Sequence, residues 1–178
     1  MKFSYPPYFH HDSEPAIWQN PWEFRKTIQI IKGLKAKSVL EIGTGHGMFA
    51  EYLRRVQNIM VWSIDSNPMI LSYDPDQLYN ISSMTLGARN WATYHGPYDV
   101  VFIDGGHDYD TCHHDWRTYK KLATKAVMIH DIGANQAGKY PVEYGPGELW
   151  YKTIKPTCRT LEIHDRSPFN CGVGIVLL

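Results

Sequence analysis

Four side chains in two short strings offer acid–base or metal chemistry. The first string runs Phe102-Ile103-Asp104-Gly105-Gly106-His107-Asp108-Tyr109, and the second Val127-Met128-Ile129-His130-Asp131-Ile132-Gly133. Each opens as an apolar run and closes on polar residues, the pattern of a buried strand that delivers its last side chains to a sheet edge. Two carboxylates with imidazoles beside them suit a hard divalent cation such as Mg²⁺, or Mn²⁺ where nitrogen takes part. On that reading Asp104, Asp131 and His130 are metal ligands. His130 reads equally as a structural histidine held by a hydrogen bond. A nearby histidine such as His107 is a candidate general base, because an imidazole titrates near neutrality. Asp104 stands with it in the catalytic pair.

A third string has a different chemistry. Val39-Leu40-Glu41-Ile42-Gly43-Thr44-Gly45-His46-Gly47 carries glycines at alternate positions directly after an apolar run. Such a turn lets a ligand approach the backbone, and the helix that follows turns its free N–H groups toward it. A dinucleotide fingerprint needs its third glycine one residue later, where Met48 stands. Glu41 ahead of the turn would repel a pyrophosphate but suits an ammonium group. Asp65, closing the next apolar run, is placed to accept from a ribose diol. A nucleoside with a zwitterionic tail and no phosphate meets these demands, and S-adenosylmethionine is such a molecule. The bland alternative, a glycine turn that only packs a helix on a sheet, leaves Glu41 and Asp65 unexplained.

These strings require a scaffold that brings strand ends together. Apolar runs at 38–42, 59–65, 79–84, 99–104 and 126–131 alternate with helical stretches at 48–56 and 109–122, and a further helix is expected over 22–34. Alternation of this kind predicts an α/β fold: one doubly wound, mainly parallel sheet with helices on both faces. The runs 160–164 and 172–178 have no helix between them and predict an antiparallel hairpin at the C-terminus. Residues 1–21 are rich in proline and aromatics and read as an irregular arm. Residues 22–178 form the predicted domain. The long polar loop at 134–146 and the arm are the candidate acceptor pocket.

Composition narrows the partners. The chain has 178 residues with 18 Lys plus Arg and 18 Asp plus Glu, so its formal charge is zero. That argues against a nucleic acid or an anionic membrane held by bulk charge. No apolar run is long enough to span a bilayer, and three cysteines, Cys112, Cys158 and Cys171, without C-x-x-C spacing read as free thiols. A cytoplasmic location is the expectation, and a homo-oligomer is compatible with it.

The glycine turn and the two Asp/His strings together resemble the class I S-adenosylmethionine-dependent methyltransferases, over about residue 37 to the C-terminus. The I-D-G-G-H-x-Y and I-H-D-I strings are similar to those of small-molecule and sugar O-methyltransferases. The resemblance implies that Glu41, Gly43, Gly45 and Gly47 line the methionine end of the cofactor, and that Asp65 takes the ribose with Asn67 nearby. Asp104 would also border the cofactor. It implies a metal at Asp104 and Asp131 with His107 as base, and methyl transfer to a hydroxyl of a small acceptor. Two positions depart from the family pattern. His130 replaces a carboxylate, and Ser82-Ser83 stand where an acid often meets the adenine, leaving Ser83 as the candidate there. A cofactor-binding module without turnover, and a methyltransferase acting on a macromolecule, stay open as alternatives.

Overall fold

The computed structural model describes residues 19–67, 78–133, 144–165 and 171–178. The elements run α1 (Pro21–Gly33), β1 (Ser38–Ile42), α2 (Met48–Gln57), β2 (Met60–Asp65), β3 (Leu78–Asn80), α3 (Leu86–His95), β4 (Tyr98–Ile103), α4 (Tyr109–Tyr119), β5 (Ala123–His130), α5 (Gly145–Leu149), β6 (Thr160–Ile163) and β7 (Val173–Leu177). They build one sheet ordered β3-β2-β1-β4-β5-β7-β6. The first five strands are parallel, and β7 returns antiparallel to both β5 and β6. The expected parallel sheet and its C-terminal hairpin are both present.

Period-two alternation sorts the strand residues onto two faces, and helices cover both. Leu40, Ile42, Val101, Ile103, Val127 and Ile129 pack with Trp116, Tyr119, Leu149 and Trp150 on one side. Val39, Val61, Val100, Phe102, Ala126 and Met128 pack with Phe24, Ile28 and Ile31 of α1 and Phe49 and Leu53 of α2 on the other. Burial on both faces is why the strands read as continuous apolar runs. Each fully buried large apolar side chain contributes about 1.5–3 kcal/mol. Trp150 illustrates how tightly the faces close: a Cβ on Gly174 of β7 would stand 2.5 Å from its ring.

Helix ends follow local chemistry. The Asn20 side chain accepts from the Trp22 and Glu23 amides at the start of α1, with Pro21 in the first turn. Asp108 caps α4 by accepting from Thr111 N at 2.8 Å. The helix α3 lies outside the sequence expectation. The third strand ends at Asn80 rather than continuing to Met84, and Thr85 then caps α3. This helix buries only Ala88 and Ala92, too narrow an apolar stripe to show a helical period.

The sheet order changes direction between β1 and β4, since the chain winds outward from β1 to β3 and then crosses back. Ligands bind at such a switch point, beyond the carboxyl ends of the strands. The glycine turn, Asp65 and Asp104 all lie at that edge. Of the candidate acceptor pocket, residues 1–18 and 134–143 lie outside the described residues. Among those described, no helix is long and apolar enough to cross a membrane.

Candidate active site at the strand ends

The glycine turn is held by backbone contact on one side and is open on the other. Gly43 has φ +83° and donates from N to Ile64 O at 2.8 Å. A Cβ on Gly43 would fall 2.1 Å from the Asp104 carbonyl oxygen, so only glycine lets β1 and β4 leave the sheet this close together. Gly45, at φ +49°, has nothing within 4 Å of its Cβ direction. Gly47 precedes α2 without any side-chain cap, so the first helical N–H groups are left to an outside acceptor.

Two acids shape this turn. Asp65 Oδ2 accepts from Thr44 N at 2.8 Å and Gly45 N at 2.9 Å, while its Oδ1 accepts from Asn67 N at 2.7 Å. Each carboxylate oxygen has two lone pairs, so Oδ1 retains one for a hydroxyl. Glu41 is buried, and its Oε2 accepts from Thr44 Oγ1 at 2.5 Å and Ser63 Oγ at 2.6 Å. Burial pushes its carboxyl up to about 7, against the pull of those two hydroxyls. Ser83 follows β3, and its carbonyl accepts from the Tyr119 hydroxyl at 2.7 Å, tying that edge to α4.

The two Asp/His strings converge as their parallel register demands, with Ile103 opposite Ile129. His107 Nε2 lies 3.2 Å from Asp131 Oδ2. His130 Nδ1 lies 3.0 Å from Asp104 Oδ1 and 3.4 Å from Asp131 Oδ1. Asp131 sits at φ +63°, a left-handed conformation that asparagine and aspartate tolerate best, and it turns the carboxylate toward both histidines. Burial alone would lower the His130 pKa, but the charges of Asp104 and Asp131 outweigh it and push the ring up to about 10. The same pairing holds the Asp131 carboxyl far below its ordinary value despite burial. His107 is half exposed. Burial opposes its charge, yet the hydrogen bond it donates to Asp131 and the fields of Asp131 and Asp104 raise its pKa overall.

The donor atoms of Asp104, His107 and Asp131 lie within 4.8 Å of one another. Two carboxylate oxygens and one imidazole nitrogen, partly exposed, fit a hard or borderline divalent cation completed by solvent. His130 adjoins this set, donating from Nδ1 to Asp104 and pairing by charge with Asp131, and its other ring nitrogen is buried without a hydrogen-bond partner.

Three residues that the sequence did not single out join the site, all from the arm and the loop expected to form the acceptor pocket. Gln19 Nε2 donates to Asp104 Oδ2 at 3.3 Å, so the end of the N-terminal arm reaches the Asp104 carboxylate. The Tyr144 hydroxyl donates to Asp131 Oδ2 at 3.2 Å. Gly145 N donates to His107 O at 3.0 Å, and a Cβ on Gly145 would strike the Asp108 backbone at 2.4 Å. The α5 start therefore clamps the loop that carries His107. All three are distant in sequence from the motifs they support.

No protein-family model matches the chain, and no curated protein matches it in sequence. Solved structures do match. An O-methyltransferase from Bacillus cereus, in complex with S-adenosylhomocysteine, superposes with a TM-score of 0.67 at 13% identity, covering 90% of this chain and 82% of that one. This is the Rossmann-like methyltransferase fold. The O-methyltransferase TomG from Streptomyces achromogenes, involved in tomaymycin synthesis and bound to S-adenosylmethionine, gives 0.64 at 14% identity over 93% and 82% of the two chains. The MycE methyltransferase of the mycinamycin pathway, in complex with Mg, S-adenosylhomocysteine and mycinamycin VI, gives 0.55 at 15% identity over 85% of this chain and 48% of that one.

Proposed function

We propose that the chain is an S-adenosylmethionine-dependent O-methyltransferase acting on a small hydroxylated acceptor. The observation that carries this is the meeting, at one sheet edge, of the open glycine turn and a carboxylate-held histidine. The Gly45 side of the turn accepts the methionine end of the cofactor, and the unshared lone pair of Asp65 accepts from the ribose with Asn67 beside it. Glu41 braces the turn through Thr44 and lends negative charge toward the ammonium group. Ser83 borders the adenine, and Asp104 lies between cofactor and acceptor.

Asp131 holds His107 through Nε2, which leaves Nδ1 to take the proton of the acceptor hydroxyl. The oxygen then attacks the sulfonium methyl in line; the C–O bond forms as the C–S bond breaks, and S-adenosylhomocysteine leaves with the electron pair. Orientation of a base by a carboxylate is a recurrent arrangement for activating weak nucleophiles. Where a divalent cation binds, Asp104 and Asp131 would hold it, with His130 supporting both, and its charge would lower the pKa of a bound hydroxyl.

Isothermal titration with S-adenosylhomocysteine tests the cofactor reading, and an absence of binding at millimolar ligand overturns it. A panel of phenols, sugars and other hydroxylated acceptors, scored by S-adenosylhomocysteine release, tests the reaction. In that assay His107→Ala should retain cofactor binding and lose about 100-fold or more of the rate. Binding without turnover on any acceptor would favour a cofactor-binding module instead.

A further inference from the structure

A second cluster of ligating side chains lies behind the first and reaches it through His130, whose Nδ1 is 3.0 Å from Asp104 Oδ1. Glu23 from the first turn of α1, His130 from the end of β5 and Cys171 before β7 bring one ligand atom each within 4.8 Å of one another. Glu23 and His130 are 0% and 3% exposed. Glu23 Oε1 accepts from Asp165 N at 3.1 Å and Gly172 N at 3.0 Å. Its Oε2 has no hydrogen-bond partner, and neither does His130 Nε2. A buried carboxylate oxygen and a buried imidazole nitrogen left unsatisfied cost about 1–3 kcal/mol each, so the fold maintains a site that something else completes.

We propose that Glu23, His130 and Cys171 form a buried transition-metal site, suited to Zn²⁺, distinct from the Asp104–His107–Asp131 cluster. The donor chemistry decides the ion. Carboxylate, imidazole and thiolate together match zinc, whereas a sulfur ligand disfavours Mg²⁺ and Ca²⁺. Zinc bonds of about 2.0–2.3 Å place tetrahedral ligands roughly 3.3–3.8 Å apart, so the donors need to close by about an ångström. His130 is already arranged as a metal-bound histidine would be: Nδ1–H donates to Asp104 Oδ1 at 3.0 Å, which leaves Nε2 as the ligating nitrogen. One carboxylate and one thiolate balance the charge of the ion, with the thiol proton and the Nε2 proton of the His130 ring released to solvent on binding. A single water could bridge the carboxylate and the imidazole, but the sulfur in the same set points to a metal. Bound there, the ion ties α1, β5 and the strand before the C-terminus together and fixes the histidine that donates to Asp104. The site stands independently of the methyl-transfer reading.

Cobalt(II) added to the metal-free full-length protein gives the test. One equivalent should produce a near-ultraviolet sulfur-to-cobalt charge-transfer band. Cys171→Ser should abolish the band, Glu23→Gln should weaken cobalt affinity tenfold or more, and His107→Ala should leave both unchanged. Far-UV circular dichroism verifies that each variant folds. A measurement on the unaltered protein needs no variant: Zn²⁺ should slow alkylation of Cys171, mapped by peptide mass, and leave Cys158 unaffected. No metal uptake, uptake without the band, a band that survives Cys171→Ser, or equal alkylation of Cys171 with and without zinc would each overturn the proposal.

Discussion

His107 meets Asp131 through Nε2 at 3.2 Å, and the same Asp131 oxygen also accepts from Tyr144 at 3.2 Å. The acid therefore gathers donors from the loop after β4 and from the start of α5, and fixes which ring nitrogen of His107 faces away from it.

That contact sets the titration of His107. Its pKa is raised because Asp131 and Asp104 favour the charged ring more than burial disfavours it. Asp131→Asn removes the larger of those two charges, so the midpoint should fall. NMR titration of the His107 ring should show a midpoint above the ordinary value of about 6.5 in the parent protein and a lower one in the variant. An unchanged midpoint would show that Asp131 does not govern the base.

Asp65 ties the glycine turn to β2 by two backbone amides, and in the proposed function its other oxygen accepts from the ribose. Asp65→Asn should reduce S-adenosylhomocysteine affinity about 10- to 100-fold, because hydrogen bonds to a charged acceptor contribute roughly 1.5–3 kcal/mol each. Hydrogen exchange at Thr44 and Gly45 should quicken in the same variant. Loss of affinity without faster exchange would separate ligand contact from loop support.

Two glycines of one turn should fail differently. Gly43→Ala drives a Cβ into the Asp104 carbonyl at 2.1 Å and should destabilise by about 3 kcal/mol or more, read by denaturant unfolding. Gly45→Ala meets no protein atom within 4 Å. It should cost about 1–2 kcal/mol of backbone strain and weaken cofactor binding further by occupying the open side.

Asp115, on α4, is fully buried and neither carboxylate oxygen has a hydrogen-bond partner. Burial raises its pKa to about 7; Ser83 tempers the shift without reaching hydrogen-bonding geometry, and Asp108 adds to it. Folding thus favours the protonated acid. The stability penalty is absent below the unfolded value of about 3.9, grows as pH rises, and is complete above about 7. Asp115→Asn should therefore stabilise the protein at pH 8 by up to roughly 4 kcal/mol and much less at pH 4. Equal effects at both would exclude ionisation as the cause.

The sequence by itself determined the sheet, because strands buried on both faces must be continuous apolar runs, and it marked the polar residues that end them. Ser38–Ile42 was legible as a strand residue for residue, and the glycines after it as a turn. The sequence could not show α3, whose packing rests on two alanines, nor extend the third strand correctly, since Leu78–Asn80 pairs only with β2. Nor could it show Gln19 on Asp104, Tyr144 on Asp131, or Glu23 opposite His130. Those contacts join segments 13 to more than 100 residues apart in the chain, and no local pattern encodes them. The direction of the His130 ring was likewise a tertiary decision. A histidine beside an aspartate at a strand end has two nitrogens to place, and only the packing of α1 and β7 against β5 sets Nδ1 on Asp104 and buries Nε2 beside Glu23 and Cys171.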